Sequence, residues 1–285
     1  MSRIAYVNGR YLPLAAAGVS IQDRAFQFGD GVYEVCLVRE GRLIDEARHL
    51  ARLERSLAAL RIAAPLGESA LRVILREVVA RNRVSDGLVY LQVSRGAARR
   101  DHAFPSAGVR PGLVVTAKSL DPRAGEESAA KGVAVITLPD ERWAHPDIKS
   151  LQLLPNVLAK QAARQAGAFE AWFVDRNGFV TEGSSTNAWI VGPAGVLITR
   201  QADQAILRGV TRTTLLDIVA SEGLALEERP FSLAEAYGAR EAFLSSATAI
   251  ATPVISIDGR GIGSGRPGPV ARGLRAKFAA AAAQS

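Results

Sequence analysis

The chain is poor in several residues that specialised chemistry depends on. It has one cysteine, Cys36, so an intramolecular disulfide and a cysteine-based zinc site are excluded, and a reducing compartment is expected. Cys36 lies in the apolar run 35–38 and reads as a small buried residue. His49 and His145 lack metal-ligand spacing and read as structural; no metal is expected. Aromatic residues make up 6%, the arginines are dispersed, and no RNP, zinc-knuckle or helix-turn-helix pattern is present, so the net charge of +7 does not point to nucleic acid. No apolar run approaches the ~18 residues of a membrane helix. The opening MSRIAYVNGRY has no signal-peptide core, and a cytoplasmic protein with no membrane partner is expected.

Lysine is the most informative shortage. Five lysines, at 118, 131, 149, 160 and 277, stand against thirty arginines, so arginine has taken over solvation of the surface. Each lysine is then a candidate for work that arginine cannot do, because only an amine that loses its proton can attack a carbonyl. Lys149, in IKSLQLLPNVLAKQ, opens an apolar run.

What the chain does have is an ordinary globular composition, 48% hydrophobic and 22% charged over 285 residues, without low-complexity tracts or repeats. Asn8-Gly9 and Glu40-Gly41 mark two hairpins. Leucines at 50, 53, 57 and 60 recur at helical spacing, and the pattern returns over 71–79. GLVYLQVSRG and GLVVTAK read as strands around the loop AARRDHAFPSAGVRP, which suggests a small α+β domain over residues 1–118. The polar stretch 119–131 reads as an interdomain linker. Residues 132–285 read as a larger, strand-dominated domain of barrel or sandwich type, carrying Lys149 and with helices at 210–222, 233–237 and 269–282 on its outside.

If Lys149 forms a Schiff base, pyridoxal phosphate is the obvious aldehyde, and it requires an anion at the pyridine nitrogen, a phosphate cup and a pocket for the substrate carboxylate. Glu182, in VTEGSSTN, follows a β-run into a small polar turn and is a plausible anion. ILRGVTRTTLLDIV offers a helix start after Gly209, with the N–H groups of Val210 and Thr211 and the Thr211 hydroxyl. Taken singly, each has a plainer reading: a snorkelling or ion-paired lysine, an exposed turn acid, and ordinary helix capping.

The segments together resemble the fold-type IV pyridoxal-phosphate enzymes and, within them, the D-amino-acid aminotransferases. DRAFQFGDGVYEV, HLARLERSL, SRGAARRDHAFP, IKSLQLLPNVLAKQ, VTEGSSTNAWIV and ILRGVTR occur in the family's order over nearly the whole chain. Branched-chain aminotransferases and 4-amino-4-deoxychorismate lyase are similar by overall pattern. The resemblance implies a two-domain α+β fold, an α/β sandwich-like N-terminal domain and a β-barrel-like C-terminal domain with peripheral helices. It implies that Lys149 is the Schiff-base lysine and acid/base, that Glu182 pairs with the pyridine nitrogen, and that Arg52, Val210 and Thr211 hold the phosphate. A second phosphate-site threonine is replaced by Ala247, which leaves only its backbone N–H, with Ser246 and Thr248 as neighbouring hydroxyls. Arg100 and His102, two apart in an extended loop, project to one side and can clamp a carboxylate; with Tyr33 they form the trap that the resemblance associates with D-amino acids. It further implies a homodimer that moves an amino group from a D-amino acid to a 2-oxo acid by a ping-pong mechanism. A branched-chain or R-amine transaminase and the lyase are the alternatives.

Overall fold

The structure, a computed structural model, describes the chain from Arg3 to Gln284. It divides into two compact units: the chain up to Pro122 together with Ile148–Gln152, and Arg123–Asp147 together with the chain from Leu153 onward.

In the first unit, β1 (Ile4–Val7), β2 (Arg10–Pro13), β3 (Gly31–Arg39), β4 (Arg42–Leu43), β5 (Gly87–Ser94) and β6 (Gly112–Ser119) form one sheet in the order β2-β1-β6-β5-β3-β4. Neighbouring strands are antiparallel throughout. The β1–β2 hairpin turns through Asn8 and Gly9, both at positive φ, as the Asn-Gly pair leads one to expect. Strand alternation sends Val32, Cys36, Val38, Val89, Leu91, Val93, Leu113 and Val115 to one face, where they are buried. Two helices cover that face, α2 (Glu46–Ala59) through Leu50, Leu53 and Leu57, and α3 (Glu68–Arg81) through Leu71, Ile74, Leu75 and Val78. A shorter helix, α1 (Arg24–Phe28), is capped by Asp23, which accepts the Ala25 N–H at 2.8 Å. Five residues are too few for a periodic signal, and the sequence gives no sign of α1.

In the second unit the strands are β7 (Val133–Pro139), β8 (Glu170–Val174), β9 (Phe179–Gly183), β10 (Asn187–Val191), β11 (Leu197–Thr199), β12 (Leu226–Glu228), β13 (Phe231–Ser232), β14 (Glu241–Ser245), β15 (Thr252–Ile257) and β16 (Arg260–Gly261). They form one ten-stranded sheet, ordered β12-β11-β10-β14-β15-β7-β8-β9-β13, with β16 on β15. It is mixed, because β7 runs parallel to β15 and β8, and β11 parallel to β12. One apolar cluster draws on Val133, Trp172, Val180, Ile190, Ile198, Phe231, Leu244 and Val254, from eight of the ten strands. A sheet can share one core so widely only by curling around it, which gives the barrel-like character expected of this part. The helices are α4 (Pro122–Lys131), α5 (Leu154–Gln165), α6 (Val210–Ser221), α7 (Leu233–Tyr237) and α8 (Pro269–Gln284).

Two expectations change. The stretch 119–131, read as a linker, ends β6 and then forms α4; only Ala129 of that helix is buried, so no apolar stripe announces it. Lys149, expected with the larger domain, belongs by its contacts to the first unit, because Ile148–Gln152 pairs with β3. Pro230 separates β12, which pairs with β11, from β13, which pairs with β9.

Truncating the fully enclosed Leu75 to alanine should lower unfolding free energy by about 2–5 kcal/mol, the usual cost of a leucine-sized cavity. Urea denaturation followed by far-UV circular dichroism measures it.

Candidate active site

In the first unit, Lys149 is placed by its backbone. β4 covers only Val38 and Arg39 of β3, so the start of β3 presents an open edge. The lysine segment fills it: the Tyr33 N–H donates to Lys149 O at 3.0 Å, the Leu151 N–H donates to Gly31 O at 3.0 Å, and Ser150 bridges Val32. The Lys149 N–H donates to Ser56 Oγ on α2 at 3.4 Å. The side chain then turns back so that Nζ lies 4.1 Å from the centre of the Tyr33 ring. Tyr33 packs in turn on Tyr90, whose phenol is pushed up to about 12 by burial.

Glu34, the next residue along β3, points to the opposite face. There it accepts from Arg52 Nε at 2.7 Å and Arg52 Nη2 at 2.8 Å, with His49 Nδ1 at 2.7 Å. All three side chains are buried. Burial alone would raise the Glu34 carboxyl, but the charge and hydrogen bonds of Arg52, with His49, bring it from 4.5 down to about 2. Arg52 is thus a fixed, pre-charged donor, one helical turn before Ser56 on the same side of α2.

Arg100 and His102 lie in the exposed loop that follows β5. The structure brings them together on one aromatic surface: the Arg100 guanidinium is 5.0 Å from the Phe28 ring centre, and the His102 ring is 5.5 Å from it. Tyr33, expected as their third member, has its contacts with Lys149 and Tyr90.

The second unit holds the other candidates. Glu182, on β9, is buried and accepts from Arg142 Nη1, from Asn187 Nδ2 at 2.9 Å and from the Leu207 N–H at 3.0 Å. Burial pushes its carboxyl above the usual range, with Arg142 and the Leu207 N–H opposing. Asn187 also donates to Leu207 O at 2.9 Å and so ties Glu182 to the loop that leads into α6. Gly209 begins that helix and is packed against Asn187; a Cβ at this position would meet Asn187 Oδ1 at 2.1 Å. With no side chain at the cap, the N–H groups of Val210 and Thr211 receive no capping bond from it. β10 pairs Asn187 with Ser245, so the turn carrying Ala247 lies beside the same residues. In that turn Ser246 Oγ accepts the Ala249 N–H at 3.1 Å, while Thr248 is exposed.

Sequence reasoning missed the supports. Arg142 is gripped by Asp140 at 2.9 and 2.7 Å, and Asp140 also accepts from Thr181 at 2.7 Å. Glu170, fully buried, accepts from the Ser184 hydroxyl, the Ser185 hydroxyl at 2.8 Å and the Ser185 N–H at 3.2 Å, which fixes the turn after Glu182. In a chain with thirty arginines, DERW just before the lysine stretch carries no distinguishing signal.

Among known proteins, the chain is similar to aminotransferases. The sequence model described as Amino-transferase class IV matches residues 31–257. A D-alanine aminotransferase of Bacillus licheniformis is 42% identical over 268 residues, 94% of this chain and 93% of that one. A D-alanine aminotransferase of Listeria innocua is 39% identical over 95% of this chain and 93% of its own length. Among solved structures, a hypothetical aminotransferase from Mycobacterium tuberculosis in its PLP-bound form superposes with a TM-score of 0.82 at 26% identity, covering 98% of this chain and 98% of that chain.

The depressed Glu34 carboxyl makes a pH prediction. A group held from 4.5 to about 2 in the folded state contributes stability above pH 4.5, about 3 kcal/mol, which is lost as pH falls from 4.5 towards 2. Glu34→Gln should be destabilised at pH 7, and its deficit relative to wild type should shrink over that window. Urea titrations at pH 7, 4 and 3 measure the convergence.

Proposed function

The chain belongs to the class IV aminotransferases, and from that premise we propose that it is a D-amino-acid transaminase working with pyridoxal 5'-phosphate. The observation that carries the substrate side is the gathering of Arg100 and His102 on Phe28, two cationic-capable donors turned to one side for a carboxylate. The identity to D-alanine aminotransferases supports the same choice.

The residues suit the cofactor. Glu182 is a carboxylate enclosed deeply enough that burial outweighs Arg142, and a cationic ring nitrogen would relieve that deficit. The uncapped start of α6 offers N–H groups and the Thr211 hydroxyl to a phosphate. Arg52 supplies a guanidinium that Glu34 keeps charged and oriented, and Ala247 contributes a backbone N–H. When bound, the cofactor supplies an electrophilic carbon for amines and a ring that draws electrons from the substrate's Cα.

Lys149 Nζ takes the proton from Cα of the amino acid and returns one in the second half-reaction. Its backbone, pinned to β3, limits the amine's reach, and the Tyr33 ring packs beside the amine. Arg100 and His102 bind the carboxylate, with Tyr33 bounding the pocket. The substrates on this reading are small amino and 2-oxo acids, and the protein is a cytoplasmic homodimer. Among the described residues no helix is long and apolar enough to cross a membrane.

Purified protein loaded with pyridoxal 5'-phosphate should convert D-alanine and 2-oxoglutarate to pyruvate and D-glutamate, the pyruvate being followed by coupled lactate dehydrogenase. Turnover of L-leucine and not of D-alanine would overturn the reading. Lys149→Ala should lower kcat at least ~10²–10⁴-fold, the contribution of a general acid/base. Arg100→Ala should raise KM for D-alanine about 10–100-fold through loss of a charged hydrogen bond.

A further inference from the structure

Asp30, in FGDGVYE, touches none of the candidate site residues, yet it stands at the centre of the contacts that hold the loop of Arg100 and His102. Its carboxylate accepts from Arg24 Nε at 2.7 Å, from Arg95 Nε at 2.8 Å and from Arg95 Nη2 at 3.0 Å. Burial would raise this carboxyl, but the hydrogen bonds from Arg95 and Arg24 prevail and hold it below the usual range. Arg24, itself buried, spends its remaining donors on the loop backbone: Nη1 on Asp101 O at 2.6 Å and Ala103 O at 3.2 Å, and Nη2 on His102 O at 3.4 Å. These carbonyls run through and just past the Arg100-Asp101-His102 step.

The aromatic contacts follow the same two arginines. Arg24 lies 4.8 Å from the centre of the Phe28 ring, which also carries Arg100 and His102. Arg95 lies 3.7 Å from the ring of Phe104, the residue after Ala103, and donates to Leu60 O at 2.8 Å and Arg61 O at 2.9 Å just past the end of α2. An exposed loop with no regular structure is thereby held over residues 101–104 by two guanidiniums, and one carboxylate orients both.

We propose that Asp30 is a positioning residue for the substrate carboxylate, acting through Arg24 and Arg95 to hold Arg100 and His102 in the direction in which they bind it. The proposal rests on the transaminase reading only for what the loop binds, not for how it is held. Loss of the Asp30 charge frees Arg24 from its orientation, and the carbonyls of residues 101, 102 and 103 lose their common donor. The loop then samples many directions, and the two side chains must be ordered anew for each binding event. The proton chemistry at Lys149 does not pass through this group.

The test compares wild type, Asp30→Asn, Arg24→Lys, Arg100→Ala and the Asp30→Asn/Arg100→Ala double variant as loaded enzymes. Asp30→Asn should raise KM for D-alanine about 10-fold or more, the scale of one charge-assisted hydrogen bond, with kcat changed less than about 3-fold and the cofactor's visible absorption intact. Arg24→Lys, which keeps the charge but not the fork that spans three carbonyls, should show the same split and serves if Asp30→Asn does not fold. In the Arg100→Ala background, Asp30→Asn should add clearly less than its full effect on KM in wild type, because only His102 is left to be positioned. Limited tryptic cleavage after Arg99 and Arg100 should quicken about 10-fold in Asp30→Asn whatever the substrate proves to be. Equal losses in kcat and cofactor loading, a full multiplicative effect on top of Arg100→Ala, or unchanged cleavage would each overturn the proposal. Cleavage that quickens as expected in a protein whose wild type ignores D-alanine would instead count against the transaminase reading.

Discussion

The free edge of β3 is the constraint on which the site's first half depends. A strand whose partner on one side stops at Val38 leaves backbone donors and acceptors without a ladder over its first residues. Filling that gap with Ile148–Gln152 satisfies the backbone and, as a by-product of strand geometry, fixes where the Lys149 side chain begins. Alternation along β3 then separates two tasks that adjoin in sequence. Tyr33 faces the lysine amine, and Glu34 faces away into the layer beneath α2, where it holds Arg52. One strand thus sets a soft aromatic contact on one side and a rigid charged one on the other.

Arginine, so abundant here, does its most particular work out of sight. Three buried or largely buried carboxylates, Asp30, Glu34 and Glu182, are each met by a guanidinium whose planar fork reaches two acceptors at once. The outcomes differ with enclosure. Glu34 takes two parallel bonds from Arg52 and is driven to ionise easily, whereas for Glu182 desolvation wins and the carboxyl is pushed up. A lysine could not have served in these places, since a point charge on a flexible stem fixes no plane. That division of labour leaves Lys149 as the amine among fixed cations.

Much of this was legible in the sequence where local signals are strong. Asn8-Gly9 specified its hairpin, the leucine spacings of α2 and α3 specified amphipathic helices, and alternation marked β5 and β6. Lys149, Glu182 and the helix start at Val210 stood out because each residue type is rare or specially placed in its stretch. α4 was not legible because it buries a single residue, and the grouping of Lys149 with the first unit was not, because a bridge between distant segments leaves no periodic trace. The supports, Arg142, Asp140, Asn187 and Glu170, were hidden for a different reason. Their roles arise from hydrogen bonds between residues far apart along the chain, and an arginine or aspartate in a charged turn looks like any solvated one.

The discontinuity of the first unit bears on how the protein is made. Synthesis delivers β1 to β6 and their helices before residue 148 exists, so the nascent chain carries β3 with its leading edge bare while α4 and β7 are still emerging. Bare strand edges invite pairing with any extended segment nearby, including the same edge on a neighbouring nascent chain. The lysine segment, arriving next, is both the carrier of the proposed catalytic amine and the closing piece that ends this exposed interval. Translation order and the proposed catalysis therefore converge on one pentapeptide, Ile148–Gln152.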